Sequence, residues 1–331
     1  MRDANALLKS SLNSHLMRRL MRRWMRATAV AVALSSHAPR AAAQTPRLTI
    51  APAHPATGAL VRLGIDRVTN GADSVINVRG SLGGEALHFR RITGAPATLH
   101  AIAGIPTDAS DSVVARVIVE RVSGACDTLR AVVRMPHQPP PVAGGRGRAP
   151  GSRRLTVDRR FTTRLDSATE ARIERENERA RDIGRRAHEN PPMWTEPFAK
   201  PRSSRITSRF GTGRVFNGRV ASSHLGVDFR GSEGDEILAA NRGVVALVDS
   251  FFLAGNVVYV DHGGGVVTGY FHMSRPLVAV GDTVSRGQRI GLVGATGRVT
   301  GPHLHWSARY GALSVDPGGL LTIAGMWYLR R

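Results

Sequence analysis

GPHLHW, residues 301–306, places His303 and His305 on either side of Leu304. In an extended strand, residues i and i+2 share one face and stand roughly 6.6 Å apart. The two imidazoles can therefore address one small site while Leu304 turns to the core. That spacing suits chelation of a metal ion, or chelation by one histidine and proton transfer by the other. By itself it does not say which histidine does which.

Upstream, HLGVDF supplies His224 and Asp228, and GYFHMS supplies His272. Four residues of extended strand span about 13 Å, too far for both His224 and Asp228 to hold an ion at about 2 Å. The chain must bend between them, and Gly226 is the residue that enters a bulge or tight turn at least steric cost. Two imidazoles and one carboxylate then make a three-ligand zinc site with an open position, the catalytic kind. A closed structural site wants four protein ligands, usually with cysteine, and Cys126 lies far upstream. Each feature alone is weak because short motifs recur freely. Together and in this order they converge. His262 in DHGGG reads as a hairpin-turn residue with its polar ring satisfied, and His54, His88 and His100 as ordinary residues in or beside strands, without ligand spacing.

Around these motifs glycine is dense and apolar runs are short: VVALV, NVVYVDH, GVVTGYFH, LVAVG and RIGLVG. The pattern predicts antiparallel β-structure with HGGG and GATG as turns.

From ITSRFG at Ile206 to Asp316, about a third of the chain, the sequence resembles the M23 (lysostaphin/LytM-type) zinc metallopeptidases that cut peptidoglycan peptides. HLGVDF, YFHM and GDTVSRGQRIGLVGATGRVTGPHLHW carry the resemblance. It implies that His224, Asp228 and His305 bind Zn²⁺. It also implies that His303 is a catalytic histidine rather than a ligand, and that His272 is its partner, acting as general base or stabilising the transition state. Met273 stands where leucine is common and Trp306 where phenylalanine is. The upstream β-region and EPFAKP are similar to the flanks of some members, less specifically. No H-E-x-x-H, G-x-S-x-G or P-loop signature is present.

Between Thr45 and Pro136 the chain alternates apolar and polar residues in about seven short runs, such as ALVRLGI, SVINVRG and SVVARVIVERV, separated by TNGADS, GGE and PTDASDS. This predicts a small immunoglobulin-like β-sandwich. HQPPPVAGGRGRAPGSRR then reads as a linker able to form neither sheet nor core. SATEARIERENERARDIGRR, residues 167–186, opens with a Ser167–Glu170 capping box and is polar on nearly every face, which predicts a solvated spacer helix. Prolines in ENPPMWTEPFAKP end it, and Trp194 and Phe198 can anchor the segment on the C-terminal domain. The expected plan is mainly β: a signal peptide at 1–43, an immunoglobulin-like domain at 45–136, a linker with one charged helix at 137–200, and an antiparallel β metallopeptidase core at 201–331.

The chain has 331 residues, 42% of them hydrophobic, and a formal net charge of +21. The first 44 residues hold eight basic residues and one acid, +7, which leaves +14 for the remainder. Arginines at 18, 19, 22, 23 and 26 precede ATAVAVALSS, and Ala41 and Ala43 form an A-x-A cleavage site before Gln44. This is an export signal. Its apolar run falls short of the roughly 20 residues that span a bilayer, so no permanent membrane span is expected. No zinc finger, basic zipper or RNP-type aromatic motif accompanies the charge, which argues against nucleic acid, whereas a basic surface favours association with an anionic cell envelope. A single cysteine cannot form an internal disulfide. The reading is an exported zinc endopeptidase of the periplasm or cell envelope acting on peptidoglycan cross-links or stem peptides. The alternatives are a non-catalytic wall-binding or amidase-activating LytM-type module, recognised by missing ligands, and a basic adhesion protein, which leaves the histidines unexplained.

Overall fold

The computed structural model describes residues 45–66, 68, 74–92, 95–136, 153–218 and 220–322. The expected signal peptide, and the linker over residues 137–152, lie outside them. From Thr45 onward, eight strands form two antiparallel sheets: β1 (Arg47–Ala51), β2 (Leu60–Asp66), β3 (Val75–Leu82), β4 (Glu85–Ala86), β5 (Arg90–Ile92), β6 (Ala95–Gly104), β7 (Ser112–Arg121) and β8 (Cys126–Arg134). Their orders are β1-β2-β6-β5 and β4-β3-β7-β8. The period-2 pattern is plain in β7, where Ala115, Val117 and Val119 are buried and Arg116 is exposed, as expected when one face meets a core and the other water.

The segment before the C-terminal core is more structured than its composition suggests. Arg153 and Arg154, the last residues of the Pro/Gly/Arg stretch, belong to β9 (Arg153–Leu155). Helix α1 spans Ser167–Ala187 and is capped by Asp166, whose carboxylate accepts from the Thr169 N–H, rather than by Ser167. The helix is also not a solvated spacer. Ala180, Ile183 and Ala187 are buried in one cluster with Leu247, Tyr259 and Val267. The apolar stripe is narrow and made mostly of small residues, so long charged side chains dominate the sequence pattern while the helix still has a face to bury. A Cβ on Gly184 would overlap the carbonyl oxygen of Gly311, so that helical turn meets backbone directly.

The C-terminal part contains β10 (Ile206–Ser208), β11 (Gly213–Phe216), β12 (Val220–Ser223), β13 (Val227–Arg230), β14 (Glu236–Leu238), β15 (Gly243–Phe251), β16 (Gly255–Gly263), β17 (Val266–Pro276), β18 (Thr283–Val284), β19 (Arg289–Val293), β20 (His303–Tyr310), β21 (Leu313–Val315) and a short helix α2 (Gly318–Thr322). The main sheet runs β10-β13-β20-β17-β16-β15-β18, with β19 on β17, β14 on β19 and β21 on β20. β12, β11 and β9 form a smaller sheet in which β9 runs parallel to β11. Met273 and Trp306, the two departures from the common motif, are both fully buried and fill this core.

Trp194 and Phe198 are buried, and the Phe198 ring lies 5.0 Å from that of His262. His262 is not a turn residue. It is fully buried within β16, with Nδ1 2.7 Å from the Arg242 carbonyl and Nε2 2.8 Å from Thr268 Oγ1. The turn itself comes from Gly263, Gly264 and Gly265, all with positive φ. The N-terminal sheets touch the core through Glu85, whose carboxylate accepts from the Ala312 N–H at 2.8 Å, and through Tyr310, whose hydroxyl donates to the Ala86 carbonyl at 2.6 Å. Among the described residues no helix is long and apolar enough to cross a membrane.

Candidate metal centre

β13 and β20 are antiparallel neighbours whose register sets Asp228 opposite His305 and Arg230 opposite His303. His303 and His305 share a face as the spacing predicts, and Leu304 between them is fully buried. His224 lies just beyond β12, and the chain bends at Gly226 before entering β13. The bend removes the 13 Å problem without a left-handed glycine. What Gly226 provides is clearance, since a Cβ there would fall 2.5 Å from His305 Nε2.

The three candidate ligand atoms converge. His224 Nε2 stands 2.9 Å from Asp228 Oδ1 and 2.9 Å from His305 Nδ1, and the third side, His305 Nδ1 to Asp228 Oδ1, is 3.0 Å. All three residues are buried. The opposite nitrogen of His224, Nδ1, lies 2.9 Å from the Arg209 carbonyl and 3.1 Å from Ser208 Oγ. A carbonyl can only accept, so that nitrogen carries the proton and Nε2 presents a lone pair. A lone pair aimed at a carboxylate in a buried site calls for a cation between them. Two imidazoles and one carboxylate are a donor set that zinc accepts, and the separations are a few tenths of an ångström below those of ligands about 2.1 Å from a tetrahedral ion. The residues present fit such an ion.

Burial pushes the Asp228 carboxyl up, but the close polar contacts with His224 and His305 outweigh it and hold the group far below the usual carboxylate range. Burial likewise lowers His305 to about 4, against the raising effect of Asp228. Both groups therefore stand ready as lone-pair donors at neutral pH. The second carboxylate oxygen of Asp228 accepts from Arg214, which also donates to Ser208 Oγ at 3.3 Å. Outer partners of this kind fix a ligand's orientation.

His272 and His303 stand next to this triangle. Their rings are 4.9 Å apart, His272 is 5.9 Å from the His305 ring, and His303 Nε2 is 3.7 Å from Asp228 Oδ1. His272 Nδ1 lies 2.8 Å from the Thr296 carbonyl, and His303 Nδ1 lies 2.8 Å from the Gly301 carbonyl. Each Nδ1–H is thereby fixed and each Nε2 is left as a proton acceptor. Burial, reinforced by the neighbouring His303 and His305, lowers His272 well below the ordinary imidazole value. Its backbone has φ 63°, a left-handed conformation that is uncommon outside glycine, at an irregular point in the pairing of β17 with β16.

All five residues singled out from the motifs come together. Sequence reasoning missed their supports: Ser208, Arg209 and Arg214 behind His224 and Asp228, and Thr296 and Gly301 behind His272 and His303. The first three lie in and just after ITSRFG, where no local pattern marks a carbonyl or guanidinium as a partner. His54, His88 and His100 take no part in this centre. His88 Nε2 instead lies 2.8 Å from His188 Nδ1, and the far nitrogen of His188 lies 2.9 Å from Glu85 Oε2.

The profile of peptidase family M23 matches residues 222–317. Peptidoglycan DD-endopeptidase ShyA of Vibrio cholerae is 47% identical over 104 residues, 31% of this chain and 24% of that protein. The DD-carboxypeptidase/endopeptidase Mpg of Neisseria meningitidis is 40% identical over 94 residues, 28% of this chain and 22% of that protein. The chain thus spans about a quarter of the length of these curated relatives. A crystal structure of a Pseudomonas aeruginosa protein assigned to peptidase M23 superposes with a TM-score of 0.58 at 26% identity, covering 81% of this chain and 95% of that one. The likeness in fold therefore extends well beyond the metal centre.

Proposed function

Because residues 222–317 are a peptidase family M23 domain, we propose that the protein is an exported zinc endopeptidase that hydrolyses peptide bonds in the cross-links or stem peptides of peptidoglycan. The observation that carries the reading is the His224 Nε2 lone pair facing Asp228 and His305 at 2.9 Å. Two endopeptidase relatives with peptidoglycan in their names support the substrate class. The intact set of five residues favours an enzyme over a wall-binding module that lacks ligands.

His224 through Nε2, Asp228 through Oδ1 and His305 through Nδ1 would hold the ion. An ion held there would supply an activated water, with its pKa lowered to about 7, and a Lewis acid for the scissile carbonyl. His303, with Nδ1–H held by Gly301, turns Nε2 toward the centre and takes a proton from the attacking water, then returns it to the leaving amine, a contribution of typically about 10²–10⁴-fold. His272, held by Thr296 and kept neutral by burial, acts beside it as general base or, once its Nε2 has taken up a proton, steadies the developing charge. Arg214 orients Asp228.

We infer as the domain plan a signal peptide at 1–43, a β-domain at 45–136, a linker and helix at 137–200, whose β9 and helix pack on the following core, and a peptidase domain at 201–331. In the β-domain the orders β1-β2-β6-β5 and β4-β3-β7-β8 support an immunoglobulin-like sandwich, since they match the ABED and CFG pattern with one added edge strand. Location in the periplasm or outer envelope, and electrostatic association with it, complete the reading. Digestion of purified sacculi by the zinc-loaded protein, with masses of the soluble products, tests it. New amino termini within the peptides, abolished by a chelator, are expected. Intact sacculi after digestion overturn it.

A further inference from the structure

The loop from Gly294 to Gly301 holds both proton-handling histidines through the Thr296 and Gly301 carbonyls, and Arg298 stands between those two contacts. Its guanidinium lies over the Phe216 ring, 4.1 Å from the centroid. Phe216 shares a face of β11 with Arg214, two residues earlier, and Arg214 in turn touches Asp228. Two guanidiniums, one from β11 and one from the loop, thus stand at the same strand, and that of Arg214 reaches the metal centre.

Neither is fully used. Among the described residues, no carboxylate pairs with Arg298, and its only hydrogen bond is from its backbone N–H to the Leu253 carbonyl at 2.8 Å. Arg214 is committed to Asp228 and Ser208, but its Nε is buried without a partner. Burial lowers Arg298 below the ordinary guanidinium value, and the like charge of Arg214 adds to that. Two adjacent cations, one stacked on an aromatic ring and held half-buried without an anion, make a place for an anion that arrives with a ligand. Stacking leaves the in-plane N–H fork open, which is the shape that takes both oxygens of a carboxylate.

We propose that Arg298, backed by Arg214, is a carboxylate-binding subsite that fixes a free carboxylate of the peptide beside the scissile bond. The inference rests on the peptidase reading for the identity of the ligand. Wall peptides offer two sources of this chemistry, the terminal carboxylate of a stem and a side-chain carboxylate within it. Engagement of either on the Gly294–Gly301 loop would couple substrate recognition to the carbonyls that orient His272 and His303.

The test uses the full-length zinc-loaded protein and one stem peptide in three forms: both carboxylates free, the terminal one amidated, or the side-chain one amidated. Affinity is read by calorimetry and cleavage separately with the corresponding cross-linked peptides. In the wild-type protein one of the two amidations weakens binding by roughly tenfold or more, the loss of a charge-assisted hydrogen bond, and identifies the source. In Arg298→Gln that ratio falls toward one while zinc content and Tm are kept, and Arg298→Lys retains part of it as a point charge without the fork. Equal affinity for all three forms in the wild-type protein overturns the subsite, as does an undiminished ratio in Arg298→Gln. Cleavage without carboxylate dependence leaves the peptidase standing and removes the subsite. Carboxylate-dependent binding without cleavage does the reverse.

Discussion

Asp228 and His305 face each other directly across the antiparallel pair β13 and β20, and their facing atoms are 3.0 Å apart. The sheet register thus does the work of bringing together residues 77 positions apart. His224 completes the triangle from the loop beside them. Replacing His224, Asp228 or His305 with alanine leaves two ligands, which hold zinc poorly. Each variant is expected to emerge from gel filtration without zinc by elemental analysis. Stoichiometric zinc in Asp228→Ala would remove that residue from the ligand set.

His272→Ala and His303→Ala separate proton handling from binding. Both keep the triangle intact, so both are expected to retain zinc while kcat falls by about 10²–10⁴-fold. A His303→Ala protein that loses its zinc, paired with a His305→Ala protein that keeps it, would reverse the roles of the two histidines.

His262 lies apart from that centre and tests the core through pH. Burial holds it at about 4 in the folded chain, against about 6.5 unfolded. Between those values the unfolded chain takes up a proton that the folded one refuses, so stability rises with pH across this window and is lost as pH falls through it. The loss by pH 4 is about 3 kcal/mol. His262→Gln cannot titrate, so the metal-free variant should show a shallower fall in urea midpoint between pH 7 and pH 4 than the parent. Parallel curves would contradict a buried, neutral His262.

Gly184 asks whether α1 is docked. In a solvated helix, Gly184→Ala would stabilise by about 1 kcal/mol through helix propensity. Here the new Cβ meets the Gly311 carbonyl oxygen, and relieving that overlap is expected to cost about 1–3 kcal/mol. The sign of the Tm change decides between the two: a rise in Tm would return the helix to the role of spacer.

Four of the five proposed site residues were legible from spacing, His303 and His305 by strand alternation and His224 and Asp228 by the need for a bend, whereas His272, and the role of each residue, came only from the resemblance of its motif to a family. The strands were legible from the same alternation. Helix docking was not, because Ala180, Gly184 and Ala187 bury little side chain and gain their fit from backbone approach, which leaves almost no hydropathy signal. Nor were Arg209, Thr296 and Gly301, since what they lend the site is a carbonyl, and every residue has one. Arg153 and Arg154 pair with β11 through main-chain groups for which their side chains are no guide. His262 misled because a histidine before three glycines looks like a turn, while two hydrogen bonds let its ring sit wholly inside.

The left-handed backbone at His272 places two unrelated filters on one position. Chain geometry there welcomes glycine or asparagine and costs most other residues roughly 1–3 kcal/mol, whereas the proposed chemistry admits an imidazole alone. While the reaction is under selection, the second filter prevails and the conformational tension persists. Once a descendant is freed from that demand, the shortest route to relief is a substitution that suits the backbone, and His-to-Asn needs only a single nucleotide change. Catalytically silent offshoots of this chain are therefore expected to carry asparagine or glycine at position 272 ahead of any loss at Asp228, which would leave the partly buried guanidinium of Arg214 without its carboxylate. The order in which such a site decays is already written in its torsion angles.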